Sequence, residues 1–351
     1  MPDFPNHLAG TVPPRDLVGF TTPPVTVSLP LRNGDSGEAV RDVQRRLARL
    51  GHDVGHDPIG YYGPATEESV RQFQEQRGLR VDGICGPQTW GSLVEAGYRL
   101  GDRLLYLRAP MLRGDDVSDL QEDLGSLGFD AGRVDGIFGP RTAAALEEFQ
   151  RNAGLTVDGV CGPDTIDALR RVVRPAAGSP SIASVREAQR LRDAPRQLGG
   201  RRVVVGETGP LAALADAVGR ALVDAGAVVA VLHHPDESVQ AGEANAFEAE
   251  AFVSLAVRDD SGAATSFYAA RAFESVGGRR LAELILDEID PTVFPPATGP
   301  TGMQLPILRE TRMAAVVCEV GPPGLVVEHT GTLAKSVTRA VVRWAQMPVN
   351  P

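Results

Sequence analysis

A chain of 351 residues has room for two or three domains, and 42% hydrophobic with 23% charged residues is the balance of a folded protein, not a disordered one. A net charge of −10 argues against nucleic acid as the main partner, because binding a phosphate backbone needs a basic face. The longest apolar stretch, Ala225–Leu232, falls far short of the roughly 20 residues that cross a bilayer, so no membrane span is expected. Lys335 is the only lysine, which reads as genomic base composition before it reads as mechanism. The N-terminus has neither the basic region nor the apolar region of a secretory signal. Three cysteines, Cys85, Cys161 and Cys318, are too few for a disulfide framework. Both observations predict a reducing, cytoplasmic home.

Residues 1–30 carry seven prolines and no apolar period, and read as a flexible tail in which Thr21 and Thr22 are open to modification. An internal repeat follows, one copy at 31–98 and the next at 107–173, with a constant offset of 76 through their later parts: Gly63 with Gly139, Phe73 with Phe149, Asp82 with Asp158. Each copy predicts three short helices. Val40, Val43, Leu47 and Leu50 fall on one face of the first, and Val70 and Phe73 on one face of the second. Thr66 and Thr142 follow Gly-Pro pairs, where an N-cap belongs. Asp-Gly pairs at 82–83, 135–136 and 158–159 mark turns, since glycine tolerates positive φ and aspartate bonds nearby amides. Cys85 and Cys161 recur without companion ligands, and read as small buried hydrophobes.

The second copy carries L-R-x-G-D, V-x-x-L-Q, L-x-x-L-G, D-G-x-F-G-P-x-T, F-Q and G-L-x-x-D-G-x-x-G-P-x-T in nearly complete form. The first departs at Ile59, where aspartate is expected, and has Tyr62 for phenylalanine. These repeats resemble the peptidoglycan-binding type 1 domain, a three-helix module of cell-wall hydrolases. That resemblance implies an all-α fold and peptidoglycan or its precursors as ligand. If a groove exists, Tyr61, Tyr62, Asp135 and Arg141 on the turn before the second helix are its candidates; the alternative is that they only shape the turn.

Residues 174–200 read as a linker, in which Ser184 to Glu187 form a capping box for a short helix. From 201 to 346 strands alternate with helices, which predicts an α/β domain with a mainly parallel sheet. Strands are expected at 202–205, 227–232, 251–257, 266–270 and 313–320, and helices at 211–225, 281–289 and 332–344; residues 347–351 are a tail. Three stretches, AGAVVAVLHHPDES, ANAFEAEAFVSLAV and LPILRETRMAAVVCEVG, resemble in order the zinc-dependent N-acetylmuramoyl-L-alanine amidases of the amidase 3 group.

The resemblance implies a site of His, Glu and His around zinc, with a further Glu acting on the metal-bound water. Three such ligands leave one open position, and the metal lowers the pKa of water to about 7. Carried onto this chain, the first histidine has no counterpart, since its loop reads Gly206-Glu-Thr-Gly-Pro210. The second falls on Ala256, which has no lone pair to offer, and the acid/base is retained as Glu319. Glu207 is a remnant metal ligand in one alignment register and lies in a degraded loop in the other. His233 and His234 end a strand and point to opposite faces, so a surface turn is the simpler reading. His329 has no spacing that ties it to a site, and Cys318 has no histidine partner. The expectation is therefore a chain with no zinc, in which Glu319 is a relic.

The arrangement resembles the cytoplasmic, catalytically degenerate actinobacterial amidase homologues that regulate peptidoglycan precursor synthesis. By that likeness the partner is an early precursor-pathway enzyme such as the enolpyruvyl transferase. The alternative is a working amidase that binds zinc through Glu207, Glu319 and His233 or His234. A third reading is a scaffold held on the wall outside the membrane.

Overall fold

The computed structural model describes residues 29–173, 182–271 and 273–346. Thr21, Thr22 and nearly all of the expected tail at 1–30 lie outside the described residues, as do 174–181 and the tail at 347–351.

Repeat 1 consists of α1 (Glu38–Arg49), α2 (Pro64–Gln76) and α3 (Pro87–Glu95); repeat 2 consists of α4 (Asp115–Ser126), α5 (Pro140–Asn152) and α6 (Pro163–Val172). Each closes on its own apolar core, Val40, Val43, Leu47, Val70 and Phe73 in the first and Val117, Leu120, Leu124, Leu146 and Phe149 in the second. Cys85 and Cys161 are fully buried and sit on short antiparallel bridges to Leu31 and Leu105. Leu105 therefore belongs to repeat 2, which starts before the expected boundary at 107.

One buried device occurs four times. Gln44, Gln74, Gln121 and Gln150 each project from a helix into the turn before the next one. The side-chain amide of Gln121 donates to Asp135 Oδ1 (2.9 Å), the Ile137 carbonyl (3.1 Å) and Thr142 Oγ1 (3.1 Å), and its Oε1 accepts from the amides of Asp135 (3.0 Å) and Gly136 (2.9 Å). Gln74 and Gln150 repeat all five bonds on the turns at Asp82-Gly83 and Asp158-Gly159. Gln44 lacks one acceptor because Ile59 stands where the others have aspartate, and it reaches the Pro58 carbonyl at 3.3 Å instead. The turn glycines Gly60, Gly83, Gly136 and Gly159 lie at φ between 67° and 82°, a region costly for any side chain. Thr66 and Thr142 are not N-caps. Gly63 and Gly139 hold that position, proline follows, and the threonine hydroxyls face inward as acceptors for Gln44 and Gln121.

The expected linker contains α7 (Ile182–Asp193), which packs against the third domain. Its helix already runs at Ile182, so Ser184 and Glu187 do not form the expected box; Glu187 Oε1 instead accepts from Ser275 Oγ at 2.6 Å.

The α/β domain runs β1 (Arg202–Glu207), α8 (Ala212–Asp224), β2 (Val228–His233), α9 (Glu237–Ala246), β3 (Ala251–Val257), β4 (Gly262–Ala270), β5 (Phe273–Glu274), α10 (Val276–Glu288), β6 (Thr301–Met303), α11 (Pro306–Arg309), β7 (Ala314–Gly321), α12 (Pro323–Glu328) and α13 (Thr330–Gln346). Strand order is β2-β1-β3-β7-β4-β5, with β6 beside β4. The first four strands are parallel and β4 runs antiparallel to β7, so the sheet is mixed but mainly parallel where the site lies. One face carries Val203, Val205, Val253, Leu255, Val316 and Cys318 and packs on α8, α10 and α13. The opposite face carries Val204, Phe252, Ala256 and Val317 and packs on α9 and α11. Val134 of repeat 2 is part of this second core, and Tyr268 donates its hydroxyl to the Val134 carbonyl at 2.9 Å. Gly206 permits the approach of α9, since a Cβ there would lie 2.0 Å from Gln240 Oε1 and 2.7 Å from the Phe252 ring.

The glutamine device sets two expectations for chemical denaturation. Gln121→Ala strands the buried turn amides and should cost about 2–4 kcal/mol. Ile59→Asp supplies the missing acceptor at an exposed position and should stabilise by about 0.5–1 kcal/mol.

Candidate functional site

The parallel strands end together, and their register decides which side chains can meet. Glu207 pairs with His233 on β2 and Leu255 on β3, Leu255 pairs with Cys318, and Ala256 pairs with Glu319. Laterally paired residues share a face and neighbours along a strand alternate. Ala256 and Glu319 thus lie side by side on the α9 and α11 face, whereas Glu207 lies on the other face with Leu255 and Cys318. The structure does not bring Glu207 and Glu319 together.

Glu207 is buried and fully engaged. Oε2 accepts from the amides of Gly209 (2.8 Å) and Leu211 (3.3 Å), closing the entry to α8, and Oε1 meets His233 Nδ1 at 3.1 Å. His233 Nε2 lies 3.2 Å from Asp216 of α8. The two carboxylates, Glu207 first, raise the pKa of His233. His234 turns away and accepts from the Asp236 amide, inside the tight turn where Asp236 caps α9. His329 lies edge-on to Phe294 between α12 and α13. Cys318 is buried, which pushes its thiol up to about 12 and leaves it unreactive.

Glu319 is met from another module. Arg80, in the turn after α2 of repeat 1, places its guanidinium 3.0 Å from Glu319 Oε1. The Gly78 carbonyl on the same turn accepts from the Gln304 amide at 2.7 Å. Repeat 1 thus lies over the strand ends, and a cleft of about 920 Å³ remains between the three modules. Its floor is Thr208, Gly209, Leu255 and Ala256, and its walls come from α3 and the turns of both repeats. Arg309 of α11 links all three, donating to Glu95 of repeat 1 at 2.6 Å and to the Asp135 carbonyl of repeat 2 at 2.5 Å. Arg113 of repeat 2 pairs with Glu310 at 2.7 Å.

Ala256 offers a methyl group, Glu319 already faces a guanidinium cation, and Glu207 faces away. Among the described residues no three His, Cys, Asp or Glu side chains converge as a metal-binding group.

The four residues expected to line a groove in the repeats take up separate places in the structure. Tyr62 is fully buried, its hydroxyl donating to the Gly83 carbonyl at 2.8 Å, so it is a core residue and not a groove wall. Asp135 is enclosed by the glutamine device and by repeat 2's contact with α11, and burial raises its pKa. Arg141 pairs with Asp130 at 2.7 Å, and Tyr61 is 39% exposed. The four therefore do not form one surface. Arg80, Arg309, Glu95 and Glu237 were not singled out from sequence; an arginine within LPILRETRM was the one visible signal.

Fold and site together define a class: paired three-helix repeats of the peptidoglycan-binding type, closed against an amidase-type α/β domain. The peptidoglycan binding domain family matches residues 36–93 and 113–169. The chain is 34% identical over 333 residues to the N-acetylmuramoyl-L-alanine amidase CwlM of Mycobacterium tuberculosis, covering 83% of this chain and 81% of that one. It is 33% identical over 149 residues to the N-acetylmuramoyl-L-alanine amidase CwlL of Bacillus licheniformis, covering 36% of this chain and 41% of that one. The N-acetylmuramyl-L-alanine amidase Ami1 of Mycobacterium smegmatis aligns at 15% identity and a TM-score of 0.36, over 42% of this chain and 98% of that one. The chain belongs to the N-acetylmuramoyl-L-alanine amidase family that includes CwlM.

The Glu207–His233–Asp216 contact predicts a pH signature. Because the folded-state pKa of His233 is raised, its contribution is present below its unfolded pKa of about 6.5 and lost as pH rises through the folded value. The melting-temperature difference between wild type and His233→Gln should therefore be larger at pH 5.5 than at pH 8.5.

Proposed function

We propose that this chain is a non-hydrolytic member of its family, one that recognises peptidoglycan or its precursors and acts as a binding or regulatory protein in cell-wall synthesis. The observation that carries the proposal is the pair at the ends of β3 and β7: Ala256 where the family supplies a histidine, and Glu319 held by Arg80. Amide hydrolysis of this type needs a metal held by three ligands with one open position, so that bound water ionises near neutral pH. A methyl group contributes no ligand, and a guanidinium beside the acid/base opposes a second cation. Zinc is accordingly no part of the proposed function, and Glu207 serves the helix entry of α8. The repeats support peptidoglycan as the ligand class. The likeness to regulatory homologues offers an early precursor-pathway enzyme, such as the enolpyruvyl transferase, as protein partner. No helix among the described residues is long and apolar enough to cross a membrane.

Calorimetric titration of the chelator-treated full chain with zinc, beside co-sedimentation with purified sacculi, tests this reading. Retention on sacculi with no zinc binding tighter than micromolar is the expected result. Tight one-to-one zinc binding that Glu319→Ala abolishes, followed by release of L-alanine peptides from sacculi, would instead establish a working amidase.

A further inference from the structure

The cleft lies at the point in the sheet where the order of successive strands reverses. From β1 the chain moves to β2 on one side, then returns to β3 on the other. Loops leaving β1 and β3 diverge there, and such switch points are where open α/β sheets bind ligands. Here the repeats enclose that crevice to about 920 Å³, a size suited to a short peptide.

Its charges are arranged unevenly. Each of four cleft arginines has a carboxylate partner: Arg77 with Asp115 (2.8 Å), Arg80 with Glu319 (3.0 Å), Arg113 with Glu310 (2.7 Å) and Arg309 with Glu95 (2.6 Å). Glu237, the first residue of α9, also lines the cleft but has no ion pair among the described residues. Its Oε2 receives only long contacts, from Gln88 Nε2 at 3.4 Å and the Ile307 amide at 3.5 Å. Its Oε1 receives no hydrogen bond among the described residues. Burial raises its pKa despite the nearby charge of Arg80. Glu237 is half-buried at the cleft wall, and the cleft arginines that could neutralise it are committed elsewhere.

We propose that this cleft binds a ligand bearing a primary ammonium group, with Glu237 as its counter-ion. An ammonium brings three donors and one positive charge to the group that lacks both. The inference rests on the function proposed above for the choice of ligand. Among peptidoglycan fragments it selects stem peptides whose side-chain amine is free, over those in which that amine is acylated by a cross-link.

The test is calorimetry on the full chain with two probes: Nα-acetyl-L-Ala-γ-D-Glu-L-Lys, whose single ammonium is the lysine side chain, and the same peptide acetylated on Nε. The free-amine peptide should bind, and Nε-acetylation or Glu237→Gln should each weaken it at least about tenfold. Glu237→Gln should keep the wild-type melting temperature and circular dichroism, because the half-buried side chain is replaced by one of the same shape, so loss of binding is not loss of fold. Equal binding of the two peptides, undiminished binding by Glu237→Gln, or no binding at millimolar peptide would overturn the assignment. Retention on sacculi alongside any of those results removes this site and leaves the preceding function standing. Discrimination by amine without retention on sacculi supports the site and removes polymer binding.

Discussion

Arg309 is the point at which three separately cored modules become one body. It sits on the single turn of α11, mostly enclosed, between the Glu95 carboxylate of repeat 1 and the Asp135 carbonyl of repeat 2. A guanidinium suits this place because its planar fork presents donors in two directions at once, which a lysine ammonium on a flexible stem does with less preorganisation. Around it lie contacts that would be weak alone. Arg113 meets Glu310, Arg133 stacks over Tyr268 and donates to the Thr311 carbonyl, and Val134 enters the second core of the α/β domain. The enclosed cleft exists only while these contacts hold, since its floor and walls belong to different modules.

The glutamine device explains how two similar repeats can occupy dissimilar places. Each repeat holds two quasi-equivalent turns, and along the chain the middle two face the α/β domain while the outer two face away. The docked turns carry Arg80 and the residues around Asp135; their counterparts at the 76-residue offset are Thr156, exposed in repeat 2, and Ile59, 79% exposed in repeat 1. Glu95, which meets Arg309, has Arg171 as its counterpart, and that residue is exposed. The core and turn chemistry is thus shared, and docking is written in a few charged positions that the repeat pattern does not constrain.

This division also marks what sequence could reach. Helix faces, Asp-Gly turns and buried cysteines follow from local rules, so the three-helix repeats and the alternation of strands with helices were legible, whereas the order of the strands in the sheet was not. Ala256 reads as a lost ligand only through the resemblance of Phe252-Val-Ser-Leu255 to the family's stretch, and the register sets it beside Glu319. Glu207 was not resolved in the same way. One alignment register makes it a remnant metal ligand and the other puts it in a degraded loop, and only the pairing of Glu207 with Leu255 assigns it to the face opposite Glu319. Tyr62 stays open between a groove wall and a residue that only shapes the turn, because aromatic residues suit both cores and binding sites. The interface was out of reach, since Arg309 and Glu95 are separated by 214 positions and no period relates them.

The arginine over Glu319 and the alanine beside it fit a single physical account within the proposed function. A carboxylate at the end of a buried strand needs positive charge nearby. In a zinc amidase the metal supplies it; here Arg80 does, at 3.0 Å and from another module. The substitution exchanges a cation that activates water for one that cannot, and it makes the charge balance of the strand ends depend on repeat 1 remaining docked. The same docking leaves Glu237, at the start of α9, half-buried in the cleft with no ion pair among the described residues, so within the proposed function the wall that brings Arg80 to Glu319 also offers a place where a ligand's positive charge would be stabilised.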